Sequence, residues 1–207
     1  PANAFCSRRQ VYRYITEELR SGNEAIVVTA TRQPLLIERV PGSVLLLDET
    51  ALEQAEGATG AEDLAELLPG VEAAVANGTQ VAFQIRGIGE RSQFVNPVNP
   101  SVGVLIDDVD FSGAGTIATL MDVQQVEVLR GPQGTRYGAN ALAGLINFST
   151  NEPDEAFFTS VKLSGGEFGT QTAGVVLNVP ISETFLSRFV FESHQSDGYV
   201  ENDFHDS

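Results

Sequence analysis

Hydrophobic and polar residues alternate along the last quarter of the chain with the period of β-strands. Such alternation is typical of a strand with one apolar and one polar face. Turns over residues 165–169 and 180–184 separate three segments of this kind. The period fits the wall of a membrane barrel, but it also fits a sheet of a soluble sandwich. The pattern predicts an antiparallel meander whose apolar face carries Val161, Leu163, Val175, Leu177, Phe189 and Phe191.

The preceding part of the chain mixes short strands with short helices. Asp48 is placed to cap a helix that begins near Glu49, and a second helix over Leu64–Leu68 ends at Pro69–Gly70. The fold class is therefore α+β, a small mixed sheet with short helices and long loops. Strands are predicted over residues 44–47, 81–85, 102–106, 126–129 and 145–150, and connections rich in Gly, Asn or Pro over 87–100, 107–115 and 131–144.

The first 33 residues form a separate segment. Residues 1–23 are interpreted as an arm, in which Val11–Leu19 predicts two helical turns. The run Ile26–Ala30 is uncharged and β-prone, and Pro34 follows it shortly afterwards. Such a run indicates an extended edge strand, or a flexible peptide that pairs with an edge.

Composition narrows the functional classes. Twelve Lys and Arg face 28 Asp and Glu, a net charge of −16, which argues against nucleic acid as a partner. The single cysteine, Cys6, forms no internal disulfide and no cysteine metal site within one chain. No apolar run approaches the roughly 18 to 20 residues of a membrane helix.

Known catalytic and ligand-binding motifs do not match. The chain has no Gly-x-Ser-x-Gly, and the glycine-rich stretch 131–138 has no Gly-Lys-Ser/Thr for a phosphate loop. Asp107, Asp108 and Asp110 lack the spacing of a calcium loop and follow a strand, where Asp is common in turns. No catalytic residue, metal site or cofactor is predicted, and the chain is not expected to be an enzyme.

Two consecutive stretches resemble the signature of plugs in TonB-dependent outer-membrane receptors. They are residues 126–138, VEVLRGPQGTRYG, and 140–147, NALAGLIN. Four further segments, 26–30, 63–71, 85–89 and 102–109, resemble family motifs in the family's order. In the last of them the family often has Tyr before Ile106 and Gly in place of Asp108. The resemblance covers residues 24–153 well and 154–200 loosely.

The resemblance implies a nutrient importer of the outer membrane of a Gram-negative bacterium. Its implied regions are the arm 1–23, a TonB box over 24–33, a plug over 34–153 and the start of an antiparallel membrane β-barrel over 154–207. The implied partners are periplasmic TonB, outer-membrane lipid around the full barrel and a small ligand, most commonly a ferric siderophore. The alternative that the residues leave open is a soluble β-rich extracellular binding or adhesion domain.

The resemblance also implies roles for individual residues. A TonB box pairs as an added strand with its partner, and it would comprise Ile26, Val27, Val28, Thr29 and Ala30. Arg86, Glu127 and Arg130 would take part in ion pairs, inside the plug or with the barrel wall, that hold a plug shut until it is pulled. Ligand contacts would come from the loops 91–99 and 111–116, with Arg91, Gln93, Phe94, Asn96 and Phe111 as candidates.

Exposure of the apolar face of the meander distinguishes an outer-membrane importer from a soluble β-rich domain. A barrel wall faces lipid with its apolar side, whereas a soluble sandwich buries that side in its own core. We therefore expect the six apolar residues of the meander to be exposed if residues 154–207 begin a barrel.

Overall fold

The computed structural model describes residues 27–28, 35–37, 40, 42–55, 63, 67–76, 80–90, 100–112, 119–167 and 169–197. Most of these residues lie in β-strands, which form four sheets. Among them, no helix is long and apolar enough to cross a membrane.

A five-stranded mixed sheet forms the centre of the plug region. In spatial order its strands are β3 (Ser43–Asp48), β9 (Val123–Arg130), β10 (Gly144–Thr150), β7 (Val102–Ile106) and β8 (Val109–Asp110). Strands β10 and β7 are parallel. The antiparallel pair β9–β10 is joined through residues 131–143, which contain a one-turn helix α2 (Gly134–Tyr137) and a 3₁₀ turn (Gly138–Asn140).

A smaller antiparallel sheet packs against one face of the central sheet. It comprises β4 (Val71–Ala76), β5 (Gln80–Ile85) and β6 (Ile88–Gly89). Burial of each aliphatic side chain at such an interface contributes roughly 1.5–3 kcal/mol. The two sheets share one apolar core, formed by Leu68, Val71, Phe83 and Ile85 from the smaller sheet and its approach, and by Val102, Val104, Val126, Val128, Ile146 and Phe148 from the central sheet.

The last three strands form a meander, which we call the wall. Its order is β11-β12-β13, antiparallel throughout. The exposed face is apolar: Leu163 is 77% exposed and Phe191 70%. The strands are β11 (Phe158–Gly165), β12 (Gln171–Ser182) and β13 (Phe185–Gln195).

The exposure of the wall confirms the prediction for five of its six residues. Val161, Leu163, Val175, Phe189 and Phe191 are exposed. Leu177 is half-buried. The wall therefore has the polarity of a barrel strand and not that of a sandwich sheet.

Several sequence-based boundaries were wrong for identifiable reasons. Pro180 was assigned to a turn, but it continues β12, opposite Leu186 and next to a register shift, which is a position where strands tolerate proline. The turn itself comprises Glu183 and Thr184. Strand β4 was not predicted, since its alanine-rich sequence VEAAVA lacks a clear β-strand pattern.

The connection predicted over 107–115 begins with a tight hairpin turn instead of a long loop. Asp107 and Asp108 both have positive φ, 49° and 68°, which is the turn geometry that suits the twist of paired strands. The Asp107 carboxylate accepts from Thr150 N at 3.0 Å and from Thr150 Oγ1 at 2.8 Å. These bonds fasten the β7–β8 hairpin to the end of β10.

Helix α1 (Glu49–Gln54) begins as predicted, with Asp48 as its N-cap. The Asp48 side chain accepts from Ala51 N at 2.8 Å. Most of the second predicted helix, Leu64–Leu68, lies outside the described residues, as does Val11–Leu19; Leu68 itself is buried.

Replacing Asp48 by Ala is expected to lower the free energy of unfolding by about 1 kcal/mol, because the helix loses the acceptor for one of its first N–H groups. Urea denaturation of the 207-residue chain, followed by far-ultraviolet circular dichroism, measures the change. Asp48→Asn is the matched control, since its amide oxygen can still accept. Equal losses in both variants would show that the charge matters and the cap does not.

Candidate functional site

The polar face of the wall is turned toward the central sheet. On β12 the residues Thr172, Gly174, Val176 and Asn178 are buried, whereas those between them are exposed or half-buried. Gly174 is packed so closely on Met121 that a Cβ there would lie 2.3 Å from the methionine sulfur. The glycine therefore lets the Met121 side chain lie directly against β12.

Within the described residues, an ion pair joins the plug region to the wall. Arg188 on β13 donates from Nε to Asp122 Oδ2 at 2.6 Å and from Nη2 to Oδ1 at 2.5 Å. The Asp122 side chain is 5% exposed and that of Arg188 14%. This two-pronged geometry is the strongest form of an arginine–carboxylate contact.

Asp122 is held in place from the plug side as well. Its φ is +62°, a left-handed conformation that Asp tolerates better than most residues. Asn151 donates from its backbone N to the Asp122 carbonyl at 3.1 Å and from Nδ2 to Oδ1 at 3.2 Å. Contacts within the plug region thus orient the Asp122 carboxylate toward Arg188.

Further polar contacts reinforce the junction between plug and wall. Thr119 Oγ1 donates to the Glu192 carboxylate on β13. Asn178 Nδ2 donates to the carbonyls of Asp154 at 2.8 Å and Ala156 at 2.7 Å, so the peptide that leads from β10 into β11 is fixed against β12.

The resemblance implies ion pairs of Arg86, Glu127 and Arg130 inside the plug or with the barrel wall, and this stays a prediction. In the described part of the chain both arginines donate to neutral groups. Arg86 Nη2 donates to Ser43 Oγ at 3.3 Å, and Arg130 Nη2 donates to the Pro69 carbonyl at 2.6 Å. Glu127 and Arg130 are three positions apart on β9, which places them on opposite faces of the strand. Both arginines do lie at strand ends, as predicted.

Glu127 is fully buried within the central sheet. Gln125 Nε2 donates to its Oε1 at 2.5 Å, and Asn147 Nδ2 on the paired strand lies 3.5 Å from its Oε2. Asn147 is also fully buried, and its Oδ1 has no hydrogen-bond partner within the described structure. Side-chain amides therefore donate hydrogen bonds to the Glu127 carboxylate, as a buried carboxylate usually requires.

The proposed TonB box is described only at its centre. Val27 and Val28 form β1, which pairs antiparallel with β2 (Leu35–Leu36), and the Val28 side chain is fully buried. These two residues therefore form an extended strand that pairs with another strand of the same chain, and the role of the segment in binding TonB stays a prediction. Ile26, Thr29 and Ala30 lie outside the described residues.

The predicted ligand contacts fall mostly outside the described residues, namely Arg91, Gln93, Phe94 and Asn96. Phe111 is half-buried, and its backbone N donates to the Val104 carbonyl at 2.8 Å. No group of His, Cys, Asp or Glu within the described ranges could hold a metal ion.

The sequence analysis gave neither Asp122 nor Arg188 a functional role. Asp122 lies outside every motif of the resemblance, just before the predicted strand. Arg188 lies on the third wall strand, on the face opposite Phe189 and Phe191, as does Glu192. The available signal was that this face carries charged residues opposite the Phe residues, although nothing in the sequence alone indicates their partners.

The fold and the junction define a class of protein. A mixed-sheet domain is seated on the polar face of strands whose other face is apolar, as in a plug that is enclosed by a membrane barrel. Comparison with known families identifies the family within this class. Residues 37–145, just over half of the chain, match the TonB-dependent receptor plug domain, and the chain belongs to this family.

Individual relatives agree with this assignment. The chain is 40% identical to the pesticin receptor of Yersinia pestis over 101 residues, which are 47% of the chain and 14% of that receptor. It is 27% identical to the vitamin B12 transporter BtuB of Vibrio vulnificus over 184 residues, 87% of the chain and 29% of BtuB. The chain thus spans less than a third of the length of these relatives.

A solved structure gives the same result in three dimensions. The ferric yersiniabactin uptake receptor FyuA from Yersinia pestis superimposes with a TM-score of 0.61 at 31% sequence identity. The match covers 69% of the chain and 22% of the receptor.

Proposed function

We propose that this chain is the plug and the first wall strands of an energy-coupled transporter in the outer membrane of a Gram-negative bacterium. Its cargo is a scarce nutrient, and a ferric siderophore is the cargo that we favour. The observation that carries the proposal is the orientation of the wall. Its polar face contacts a plug of known family, and its apolar face is exposed. A soluble adhesion domain would bury that face.

The siderophore is favoured by the relatives. The structural match at 31% identity is a ferric yersiniabactin uptake receptor, whereas the vitamin B12 transporter is less similar in sequence. The proposed protein binds and moves its cargo without covalent chemistry, and it is therefore not an enzyme. Uptake of radioactive iron from ferric yersiniabactin and from a panel of other siderophores, by cells expressing the full-length protein, tests the cargo. Uptake of labelled cobalamin in place of iron would overturn the siderophore part only.

We propose that Ile26–Ala30 is the TonB box and that TonB adds to it as a β-strand. The support is its uncharged, β-prone sequence and the strand geometry that Val27 and Val28 already adopt. Adding a strand uses backbone N–H and C=O groups, so the backbone and not a particular side chain determines the affinity.

A peptide of residues 24–32 is expected to bind the C-terminal domain of TonB, and its Val28→Pro form to bind at least about tenfold more weakly, because proline removes a backbone donor. Isothermal titration calorimetry measures both affinities. Thr29→Val is the matched control, since it keeps the backbone donor and is expected to bind like the parent peptide. If the parent peptide does not bind while an established TonB-box peptide binds in parallel, the coupling proposal is withdrawn.

A further inference from the structure

The single methionine among the 207 residues lies where the plug region touches the wall. Met121 is half-buried, and its thioether lies against the backbone of β12. A Cβ on Gly174 would be 2.3 Å from the Met121 sulfur and 2.6 Å from its Cε. The unbranched, polarisable methionine side chain suits such an irregular contact. The sulfur therefore rests on the strand itself, with no side chain of Gly174 between them.

Two clefts lead to the Met121 side chain. One, of about 290 Å³, lies beside the central sheet and is also lined by Phe148 and Val190. The other, of about 250 Å³, lies beside helix α1, which contributes Glu49 and Leu52. Since a water molecule takes up about 30 Å³ in the liquid, each cleft has room for several waters or for a molecule as small as hydrogen peroxide. A small polar reagent can therefore approach the thioether from either side.

The backbone around Met121 is fastened to the wall on both sides of the methionine. Met121 N donates to Thr119 Oγ1 at 3.1 Å, and the same hydroxyl donates to the Glu192 carboxylate on β13. The next residue, Asp122, accepts from Arg188 Nε at 2.6 Å. Because these bonds hold the Met121 backbone close to the wall, an enlarged or more polar side chain at this position disturbs the fit between plug and wall.

We propose that Met121 is a site of oxidation by hydroperoxides, and that its sulfoxide loosens the contact between plug and wall. A lone pair of the sulfur attacks one oxygen of hydrogen peroxide, a sulfur–oxygen bond forms and the oxygen–oxygen bond breaks. The other oxygen leaves as hydroxide and takes the proton of the new S–OH group, which gives the sulfoxide and one water. The sulfur loses two electrons, and the peroxide is reduced.

The sulfoxide oxygen finds no suitable place at this contact. Toward β12 there is no room even for a Cβ on Gly174. Toward the larger cleft the oxygen would lie among apolar side chains such as Ile106, Val123 and Phe148. Burial of a polar atom in such surroundings is unfavourable unless it is hydrogen-bonded. Both orientations are relieved when the Met121 segment moves away from the wall.

The test uses the full-length protein, purified in detergent and incubated with hydrogen peroxide. Mass spectrometry of the tryptic peptide 92–130 is expected to show one added oxygen atom on Met121. Brief trypsin pulses at increasing urea concentrations then give the midpoint at which the bond after Arg130 becomes cleavable, which reports opening of the plug. Oxidation is expected to lower this midpoint by about 0.5 M urea or more.

Two variants show whether the shift comes from Met121. Met121→Leu keeps an apolar side chain of similar volume but cannot be oxidised, so peroxide is expected to leave its midpoint unchanged. Met121→Gln puts a polar group at the same place, and its midpoint is expected to be lowered without peroxide. Any methionine elsewhere in the full-length protein is present in both variants, so an equal peroxide effect in Met121→Leu overturns the proposal.

Reversal of the oxidation tests the proposal without a substitution. Treatment of the oxidised, unsubstituted protein with methionine sulfoxide reductases A and B, which together reduce both sulfoxide epimers, is expected to restore the original midpoint. Two results refute the proposal: no oxygen on Met121 under conditions that oxidise a free peptide 92–130, or an oxidised Met121 with an unchanged midpoint. No cargo and no TonB take part in these measurements, so their failure leaves the proposed function unaffected.

Discussion

Gly144→Ala is expected to lower the free energy of unfolding of the chain by about 3 kcal/mol or more. Gly144 begins β10 with a φ of +159°, at the edge of the region that suits glycine. A Cβ at this position would lie 2.5 Å from the Leu129 carbonyl oxygen and 2.6 Å from Ile85 Cδ1. The carbonyl belongs to the paired strand and cannot move without breaking the β9–β10 ladder, so the clash is not relieved by a rotamer change.

Gly134→Ala is the matched control for this experiment. Gly134 begins α2, and a Cβ there meets no atom within 4 Å. Alanine favours helix over glycine, so the control is expected to be neutral or to stabilise the chain by about 0.5–1 kcal/mol. Urea denaturation followed by circular dichroism gives both values. A loss below about 1 kcal/mol for Gly144→Ala would contradict the close packing of β9, β10 and β5.

Glu127→Ala is expected to lower the free energy of unfolding by about 2–4 kcal/mol. The substitution removes a fully buried carboxylate and deprives the Gln125 and Asn147 amides of the acceptors nearest to them. It also leaves a cavity in the centre of the sheet, which adds to the loss. The same urea titration measures the change.

Two further variants separate these contributions. Glu127→Gln keeps the volume and one acceptor oxygen, and we expect it to cost less than Glu127→Ala. Glu72→Ala removes an exposed glutamate from β4 and is expected to change the stability by no more than about 0.5 kcal/mol. If Glu127→Ala proved as mild as Glu72→Ala, the buried carboxylate would contribute nothing to the stability of the plug.

The strands of the plug could be predicted because their apolar runs are short and clearly bounded. The strands of the wall could be predicted from their alternation of apolar and polar residues. This alternation has the same period whether the apolar face is exposed or buried in a core. Its exposure, and therefore the choice between barrel and sandwich, required the structure. Strand β4 escaped prediction because alanine has a weak preference for strands.

The candidate site was less predictable than the fold. Arg86 and Arg130 were placed correctly at strand ends, but their partners are a serine hydroxyl and a backbone carbonyl, which no motif specifies. The Asp122–Arg188 pair joins residues that are 66 positions apart. Such a pair depends on how the wall is seated on the plug, and local sequence carries little information on that arrangement.

The exposed apolar face of the wall also determines what the stability of this protein means. In water, side chains such as Leu163 and Phe191 gain no transfer free energy when the strands form, because they are exposed before and after folding. In lipid or detergent the same side chains are covered by acyl chains, and the folded wall gains the transfer free energy that it lacks in water. The plug, whose core residues are buried in its own interior, has no such dependence for those residues. The free energy of unfolding of the wall is therefore a joint property of the chain and its surrounding medium, whereas that of the plug belongs to the chain alone.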